Sequence, residues 1–522
     1  MILQTKRLLL RQMEQSDFPA LCAILQDAEV MYAYEHAFSD EEVRVWLEKQ
    51  QQNYRVYGFG LWAVVEKESG QMVGQCGLTM QRVHDREVLE VGYLFRKDAW
   101  HRGFATEAAR ACRQYAFETL GARRVYSIIR DSNTASQQVA RRNGMTAVDT
   151  IVKHYYGMQM PHIVFEVRRP VRVMDFFSGV GGLSYGFSRL PLFEVVAANE
   201  VEPEIAEAYR LNYPEVRMVN ADIATLDRQT LLKLAAGPID LVVGGPPCQS
   251  YSTLGKRRMD ARANLFLEYL RVLEILKPSA FVYENVPGLL SMRGGKLFAE
   301  IRQRFAALGY DLKDALLDAA DFGVPQHRSR VILVGTRGEN RFVYPAPTHG
   351  DGRRPYVTLA DALGDLPSLA SGEQKAAYCK APDNPFLQFV RDTDTLTEHK
   401  SPRNGAHLIR IMQALQEGQS KEDLPEEIRP KTGYNNTYAK LWWDRPSTTI
   451  TRNFACPSSS RCIHPRDSRA MSIREGARLQ SFPDSYRFYG SDSMRRLEIG
   501  NAVPPLLSMA VARQVANLFE AD

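Results

Sequence analysis

Short apolar runs, punctuated by glycine and proline, alternate with stretches in which apolar residues return every three or four positions, the pattern of an α/β protein. In the first third, Leu8 to Arg11 reads as a strand and Phe18 to Leu25 and Asp40 to Tyr54 as helices. Leu61 to Lys67 and Met72 to Thr79 read as strands joined by a Ser69-Gly70 turn, and Val88 to Phe95 as a strand leading into the loop His101 to Thr106. A helix starts from that loop, with Ala105, Ala108, Cys112 and Tyr115 or Ala116 at helical spacing, so its apolar face should pack on the sheet. Farther along, Val171 to Phe177 and Ile239 to Val243 read as buried strands, and Ala280 to Tyr283 and Val331 to Gly335 as two more. Leu267 to Leu276 is an amphipathic helix, and a last helix from Pro504 should return to the same sheet.

Composition narrows the class. At 522 residues the chain exceeds one ordinary core, so two or three domains are expected. Lys plus Arg number 66 against 61 Asp plus Glu, a net +5, so any surface for a polyanion must be local. Seven scattered cysteines without a CxxC pair argue for a reducing compartment over a disulfide framework or zinc knuckle. Cys456, Cys462 and His464 lack a fourth spaced ligand, so no metal site is expected. Leu8 to Leu10 are bracketed by Lys6, Arg7 and Arg11, and no run of about 18 apolar residues follows anywhere. These features predict a cytoplasmic, nucleoid-associated protein with no membrane partner.

In the first 169 residues, the loop of His101, Arg102, Gly103, Phe104, Ala105 and Thr106 opens a helix. Unpaired N–H groups and the helix dipole make such a position a cradle for phosphate. LEVGYLFRKDAWHRGFATEAA together with SIIRDSNTASQQVARRNGM resembles the acetyl-CoA-binding core of the GNAT acetyltransferase superfamily, over residues 1–168, and most resembles the group acting on ribosomal-protein N-termini. The resemblance implies that Tyr93, Leu94 and Phe95 pair with the pantetheine arm, that the 101–106 loop holds the pyrophosphate, and that Asn133 and Ser136 touch acetyl-CoA farther along. It also places Glu90 where some members have a carboxylate base, and Tyr155 or Tyr156 as donor to the leaving thiolate. Read from the residues alone, Glu90 is equally a strand-end carboxylate and the tyrosines equally core. Trp100 stands where many members have Gln or Arg, so the acceptor stays open between a protein N-terminus and a small-molecule amine.

From residue 170 the motifs change. Ser178-Gly179-Val180-Gly181-Gly182 is a Gly-rich turn after a strand, where a cofactor can approach the backbone, and Glu200 ends a strand about 20 residues on, placed to bind ribose hydroxyls. The run IDLVVGGPPCQSYS stops a buried strand with two glycines and two prolines and leaves Cys248 at its carboxyl end, where open α/β sheets place chemistry. With DFFSGVGG, Glu284-Asn285-Val286, Gln326-x-Arg328-x-Arg330, RPSTTIT and Gly500-Asn501-Ala502-Val503 following in order, the chain resembles the DNA cytosine-5 methyltransferase family. That resemblance implies a Rossmann-like S-adenosylmethionine-dependent fold after a mixed α/β GNAT domain, divided as residues 1–169, 170–339 completed by 490–522, and a target recognition region at 340–489. S-Adenosylmethionine contacts fall on Phe177, Gly179, Gly181, Gly182, Glu200, Asp222, Ile223, Pro247, Asn501 and Ala502. Cys248 becomes the nucleophile, Glu284 and Arg330 the groups that hold the base, and Arg328 and Gln326 their braces.

The polar loop after the cysteine carries Ser252, Lys256, Arg257, Arg258 and Arg262, a solvated face in most proteins but here placed to close over the phosphates of double-stranded DNA. The recognition segment scatters Arg353, His399, Arg403, Asn404, His407 and Asn435 without periodicity, so its target sequence is not readable. An RNA-methylating branch of the family carries a Cys-Phe-Thr motif absent from this chain, which together with the sizeable recognition segment favours DNA; the sequence leaves the oligomeric state open, with a monomer on DNA the expectation. A restriction-modification or phage-defence role follows from the same resemblance.

Overall fold

A computed structural model describes residues 2–155, 157–247, 265–431 and 436–520, which fall into two units, Met1–Pro170 and Val171–Asp522. In the first, strands β1 (Leu3–Gln4), β2 (Leu8–Arg11), β3 (Leu61–Glu66), β4 (Met72–Val83), β5 (Arg86–Phe95), β6 (Arg124–Arg130), β7 (Thr146–Tyr155) and β8 (Met158–Arg168) form one sheet in the order β1-β2-β3-β4-β5-β6-β8-β7. Helices α1 (Phe18–Leu25), α2 (Asp40–Tyr57), α3 (Phe104–Glu118) and α4 (Thr134–Arg142) accompany it. α2 is bounded by physics visible in its sequence: Ser39 and Glu42 form a capping box, and Gly58 ends it at φ 77°. α3 buries Phe104, Ala108, Ala109, Cys112 and Ala116, while Ala105 and Tyr115 are only partly covered. β5 and β6 are parallel neighbours sharing a single register pair, Glu90 with Tyr126, whereas β5 pairs with β4 along all of its own length.

The second unit holds β9 (Val171–Phe176), β10 (Phe193–Glu200), β11 (Arg217–Asn220), β12 (Leu241–Gly244), β13 (Ala280–Asn285), β14 (Tyr310–Asp318) and β15 (Ser329–Arg337), ordered β11-β10-β9-β12-β13-β15-β14. β9 to β13 are parallel; β14 and β15 are antiparallel. Helices α5 (Gly182–Ser188), α6 (Pro203–Asn212), α7 (Arg228–Ala235), α8 (Leu265–Leu276), α9 (Gly288–Ser291) and α10 (Lys296–Ala307) are interleaved with the strands. From 340 to 479 regular structure is sparse: α11 (Leu359–Leu363), α12 (Pro385–Val390), α13 (Ala406–Ala414), a strand pair β16 (Ala439–Lys440) and β17 (Arg461–Ile463), and α14 (Ile473–Leu479). α15 (Asp492–Asn501) and α16 (Pro505–Glu520) close the chain.

Alternation along β12 explains its unbroken apolar run. Leu241 and Val243 share a core with Leu507, Val511 and Val515 of α16, and Val242 shares another with Tyr269 and Leu273 of α8. Leu359, Leu363, Leu387 and Leu479 share a third core with Tyr185, Ala208 and Tyr209, so the loop-rich segment is packed on α5 and α6. Its buried Arg478 is neutralised by Asp365 and by Asp484, whose Oδ2 lies 2.6 Å from Nη2. β9 lies between β10 and β12, and the crevice at the carboxyl ends of these strands is where open α/β sheets bind ligands. Among the described residues no helix is long and apolar enough to cross a membrane.

Candidate functional site

The crevice is a cavity of ≈1110 Å³. One part of its wall is Phe177, Gly179, Gly182, Glu200, Asp222 and Ile223; another is Pro247, Glu284 and Arg330; Asn501 and Ala502 complete it. Phe177 is held at φ 56°, a conformation that costs a non-glycine residue about 1–2 kcal/mol and turns the chain sharply out of β9. Gly181, expected at the cofactor, instead lies behind the lining, where a side chain would strike Tyr213 and Tyr209. Glu200 ties β10 to the Gly-rich turn: its Oε2 accepts from Gly179 N at 3.0 Å and its Oε1 from Val201 N at 2.8 Å.

At the other end, Glu284 and Arg330 form a buried ion pair. Burial pushes the Glu284 carboxyl above its ordinary value, against the pull of Arg330 and Arg328. Gly245 is required here, because a Cβ would come within 2.5 Å of Glu284 Oε2. Asn285 Nδ2 donates to Pro246 O at 2.9 Å, which fixes the chain just before Cys248. Cys248 itself lies outside the described residues, as do Ser252, Lys256, Arg257, Arg258 and Arg262.

Arg328 and Gln326 are fully buried braces. Arg328 Nη1 donates to Ile450 O at 2.9 Å and Nη2 to Gly500 O at 2.7 Å. Gln326 Nε2 donates to Leu479 O at 2.9 Å, and its Oε1 accepts from Ile450 N at 2.8 Å. RPSTTIT is thereby drawn back from the recognition segment, and Thr449, Ile450 and Thr451 line the cavity. His399, grouped by sequence with the recognition residues, is buried between Ser472 Oγ and Pro367 O, and Asn435 lies outside the described residues.

In the first unit, Glu90 sits where β5 and β6 part. Its Oε1 accepts from Ile128 N at 2.9 Å, an amide on β6 beyond the single register pair, and its Oε2 accepts from Thr79 Oγ1 at 3.4 Å. Burial raises this carboxyl above its ordinary value. Tyr93 lies on β5 with Leu94 and Phe95, and its hydroxyl donates to Ser136 O on α4 at 3.0 Å. Asn133 Oδ1 caps α4 through Ser136 N at 3.0 Å and also accepts from Tyr32 at 2.8 Å. In the 101–106 loop, His101 and Gly103 have positive φ, and α3 starts at Phe104 with no side-chain cap, so its first amides face outward. Arg102 stacks 4.4 Å over Phe104 and pairs with Glu66, while Thr106 Oγ1 accepts from Arg142 Nε at 3.3 Å. Tyr155 ends β7, and Tyr156 lies outside the described residues.

Residues 171–517 match the C-5 cytosine-specific DNA methylase family. The chain belongs to that family. Its second unit is a DNA (cytosine-5-)-methyltransferase, and residues 7–146 match the acetyltransferase (GNAT) domain. A type II methyltransferase of Haemophilus parahaemolyticus is 35% identical over 66% of this chain and 86% of its own length, and one of Thalassovita gelatinovora is 33% identical over 66% and 99%. An Escherichia coli prophage-encoded DNA modification methyltransferase structure shares the fold at TM-score 0.56, with 24% identity over 67% of this chain and 99% of that one. The methylase family uses S-adenosylmethionine and the GNAT family acetyl-CoA.

The methylase cavity contains a residue that motif reading passed over. Asp175, the Asp of DFFSGVGG, is 1% exposed and lines the cavity. Its Oδ2 accepts from Ser184 Oγ at 2.6 Å, whereas Oδ1 has no hydrogen-bond partner among the described residues, and burial pushes the carboxyl up to about 7. The Ser184 hydroxyl is in turn 2.8 Å from Tyr209 Oη. An acidic lining with one free buried carboxylate oxygen fits a cationic sulfonium ligand. Sequence hid Asp175 because an acid inside a strand motif reads as part of the strand; only the cavity shows which way it faces.

Proposed function

We propose that the methylase unit modifies carbon 5 of a flipped-out cytosine in double-stranded DNA through a covalent adduct at Cys248. One observation carries this reading: the walls expected to hold a cofactor and those expected to hold a base enclose a single cavity, with Pro247, the residue before Cys248, in its lining. S-Adenosylmethionine supplies the methyl group as an electrophilic sulfonium. Phe177 would cover its adenine, Glu200 its ribose hydroxyls and Asp222 its adenine amine, with Gly179, Gly182, Ile223, Asn501 and Ala502 completing the contact. Carbon 5 of cytosine is too weak a nucleophile alone, so the Cys248 thiolate adds to carbon 6 and loads electron density onto carbon 5. Glu284 hydrogen-bonds nitrogen 3 and the exocyclic amine, and Arg330 holds oxygen 2. Carbon 5 takes the methyl group, and loss of its proton to water then expels the thiolate.

Extrusion of the base costs a few kcal/mol. Ser252, Lys256, Arg257, Arg258 and Arg262 are assigned to phosphate contacts that offset it, and residues 340–489, apart from RPSTTIT at the cavity wall, to target recognition. A restriction-modification setting accords with the type II methyltransferases among the relatives. For the first unit the reading is transfer from acetyl-CoA to an amine, a protein N-terminus or a small molecule, with Glu90 as base. Tritiated methyl transfer to duplex DNA should disappear in Cys248→Ser while S-adenosylmethionine binding remains, and bisulfite sequencing of the product returns the recognition site. Transfer to RNA but not DNA would refute the reading.

A further inference from the structure

One amine of the first unit is linked through two side chains to its candidate acetyl-transfer base. Lys153 is carried on β7, yet its Nζ donates to Gln81 Oε1 on β4 at 3.5 Å. Gln81 Nε2 donates to Thr79 Oγ1 at 3.4 Å, and Thr79 Oγ1 donates to Glu90 Oε2 at 3.4 Å. Two polar side chains thus connect an ammonium to the carboxylate, and the charge of Lys153 is the largest influence opposing the cost of burying Glu90. The strand that carries Lys153 is anchored over this place: Ile151 packs with Val83 and Val88 at the ends of β4 and β5.

The other reactant has a path to the same point. The outward amides at the start of α3 follow the end of β5, and from Phe95 back to Glu90 the strand runs five residues, about 17 Å. A pantetheine arm laid along β5 from that loop brings its thioester toward Glu90, where β5 and β6 part. An amine already tethered there has a large advantage over one arriving from solution.

We propose that Lys153 Nζ is an acetyl acceptor of the domain that carries it. The inference rests on the reading of residues 7–146 as an acetyl-CoA-dependent acetyltransferase. Released from Gln81, the flexible Lys153 side chain swings to Glu90, its ammonium gives one proton to the carboxylate, and the free amine attacks the thioester carbonyl of acetyl-CoA. The C–N bond forms, the C–S bond breaks as the adduct collapses, and the second nitrogen proton goes to the departing thiolate. The products are a neutral amide, coenzyme A as its thiol, and a protonated Glu90 that returns its proton to solvent. Acetylation removes the cation that opposes the cost of burying Glu90, so less of that carboxyl is ionised in the modified domain.

The test incubates the full chain with acetyl-CoA, maps acetylated peptides by mass spectrometry, and measures coenzyme A binding separately by calorimetry. The expected result is one acetyl group on Lys153, absent in Lys153→Arg, and formed about a hundredfold more slowly in Glu90→Gln. Thr79→Val, which keeps the carboxylate but cuts the chain of hydrogen bonds, should slow it in the same direction, and thermal melts check that each variant folds. Acetylation of Lys153 at the rate of an exposed lysine such as Lys67, or at an unchanged rate in Glu90→Gln and Thr79→Val, would be chemical acylation and would overturn the proposal. Bound coenzyme A with unmodified Lys153 sinks this inference alone. No coenzyme A binding sinks it together with the acetyltransferase reading.

Discussion

Arg330 Nε lies 2.8 Å from Glu284 Oε1, across the antiparallel strands β15 and β13, with both side chains buried. The pair neutralises two charges that would each be costly alone, and it holds at fixed spacing the carboxylate and guanidinium that we propose receive the polar edge of a base. Glu284→Gln keeps the shape but loses the charge, so methyl transfer should fall by about 10²–10³-fold with S-adenosylmethionine affinity little changed. Single-turnover methylation with parallel cofactor titration measures both. Equal loss of cofactor binding would show that Glu284 acts on the fold instead.

Gly245 controls the same carboxylate by having no side chain. Gly245→Ala places a Cβ within 2.5 Å of Glu284 Oε2, so the carboxylate must move. A misplacement of this size costs up to about a hundredfold in the chemical step. The variant should melt close to the parent yet show a depressed kcat at unchanged cofactor affinity.

Arg328 predicts a stability effect. It ties Ile450 O to Gly500 O, and its removal strands two buried carbonyls. At about 1–3 kcal/mol for each unsatisfied group, Arg328→Ala should lose several kcal/mol, read as an earlier urea transition of the methylase unit. Arg328→Lys should recover only part, because one ammonium cannot reproduce the planar two-armed geometry.

Asp175 gives a pH dependence with a definite sign. Its carboxyl is pushed up to about 7 by burial, so between the ordinary carboxylate value and about 7 the folded chain holds a proton that the unfolded chain has lost. The contribution of this group to stability is therefore greatest at low pH, falls as pH rises through that window, and levels off above it. Asp175→Asn should remove that slope from melting curves. Binding of the cationic S-adenosylmethionine runs the other way, tightening as pH rises through about 7, because ionisation supplies the charge; Asp175→Asn should flatten this dependence too.

Local chemistry was strong enough to be read where a short stretch decides it. The helix Phe18–Leu25 and the strand Leu8–Arg11 have the limits their apolar spacing predicts, and the second helix starts at Asp40 as expected but runs on to Tyr57. β6 and β8 were not read from the pattern: apolar positions there alternate with Arg, Glu and His, a signal that pairing, not spacing, converts into a sheet.

The order of motifs in the chain determined the family and nominated Phe177, Glu200, Glu284 and Arg330, because each sits at a strand end and strand ends in a parallel sheet converge. What only the tertiary structure decided is which side chains meet. Arg328 holds Ile450 and Gly500 from the cavity wall and Gln326 holds Ile450 from behind it, Asp175 faces the cavity with an oxygen to spare, and Lys153 reaches the hydrogen-bonded chain that ends at Glu90. These pairs are separated by tens to hundreds of residues, and no local periodicity records contacts made by packing one element against another.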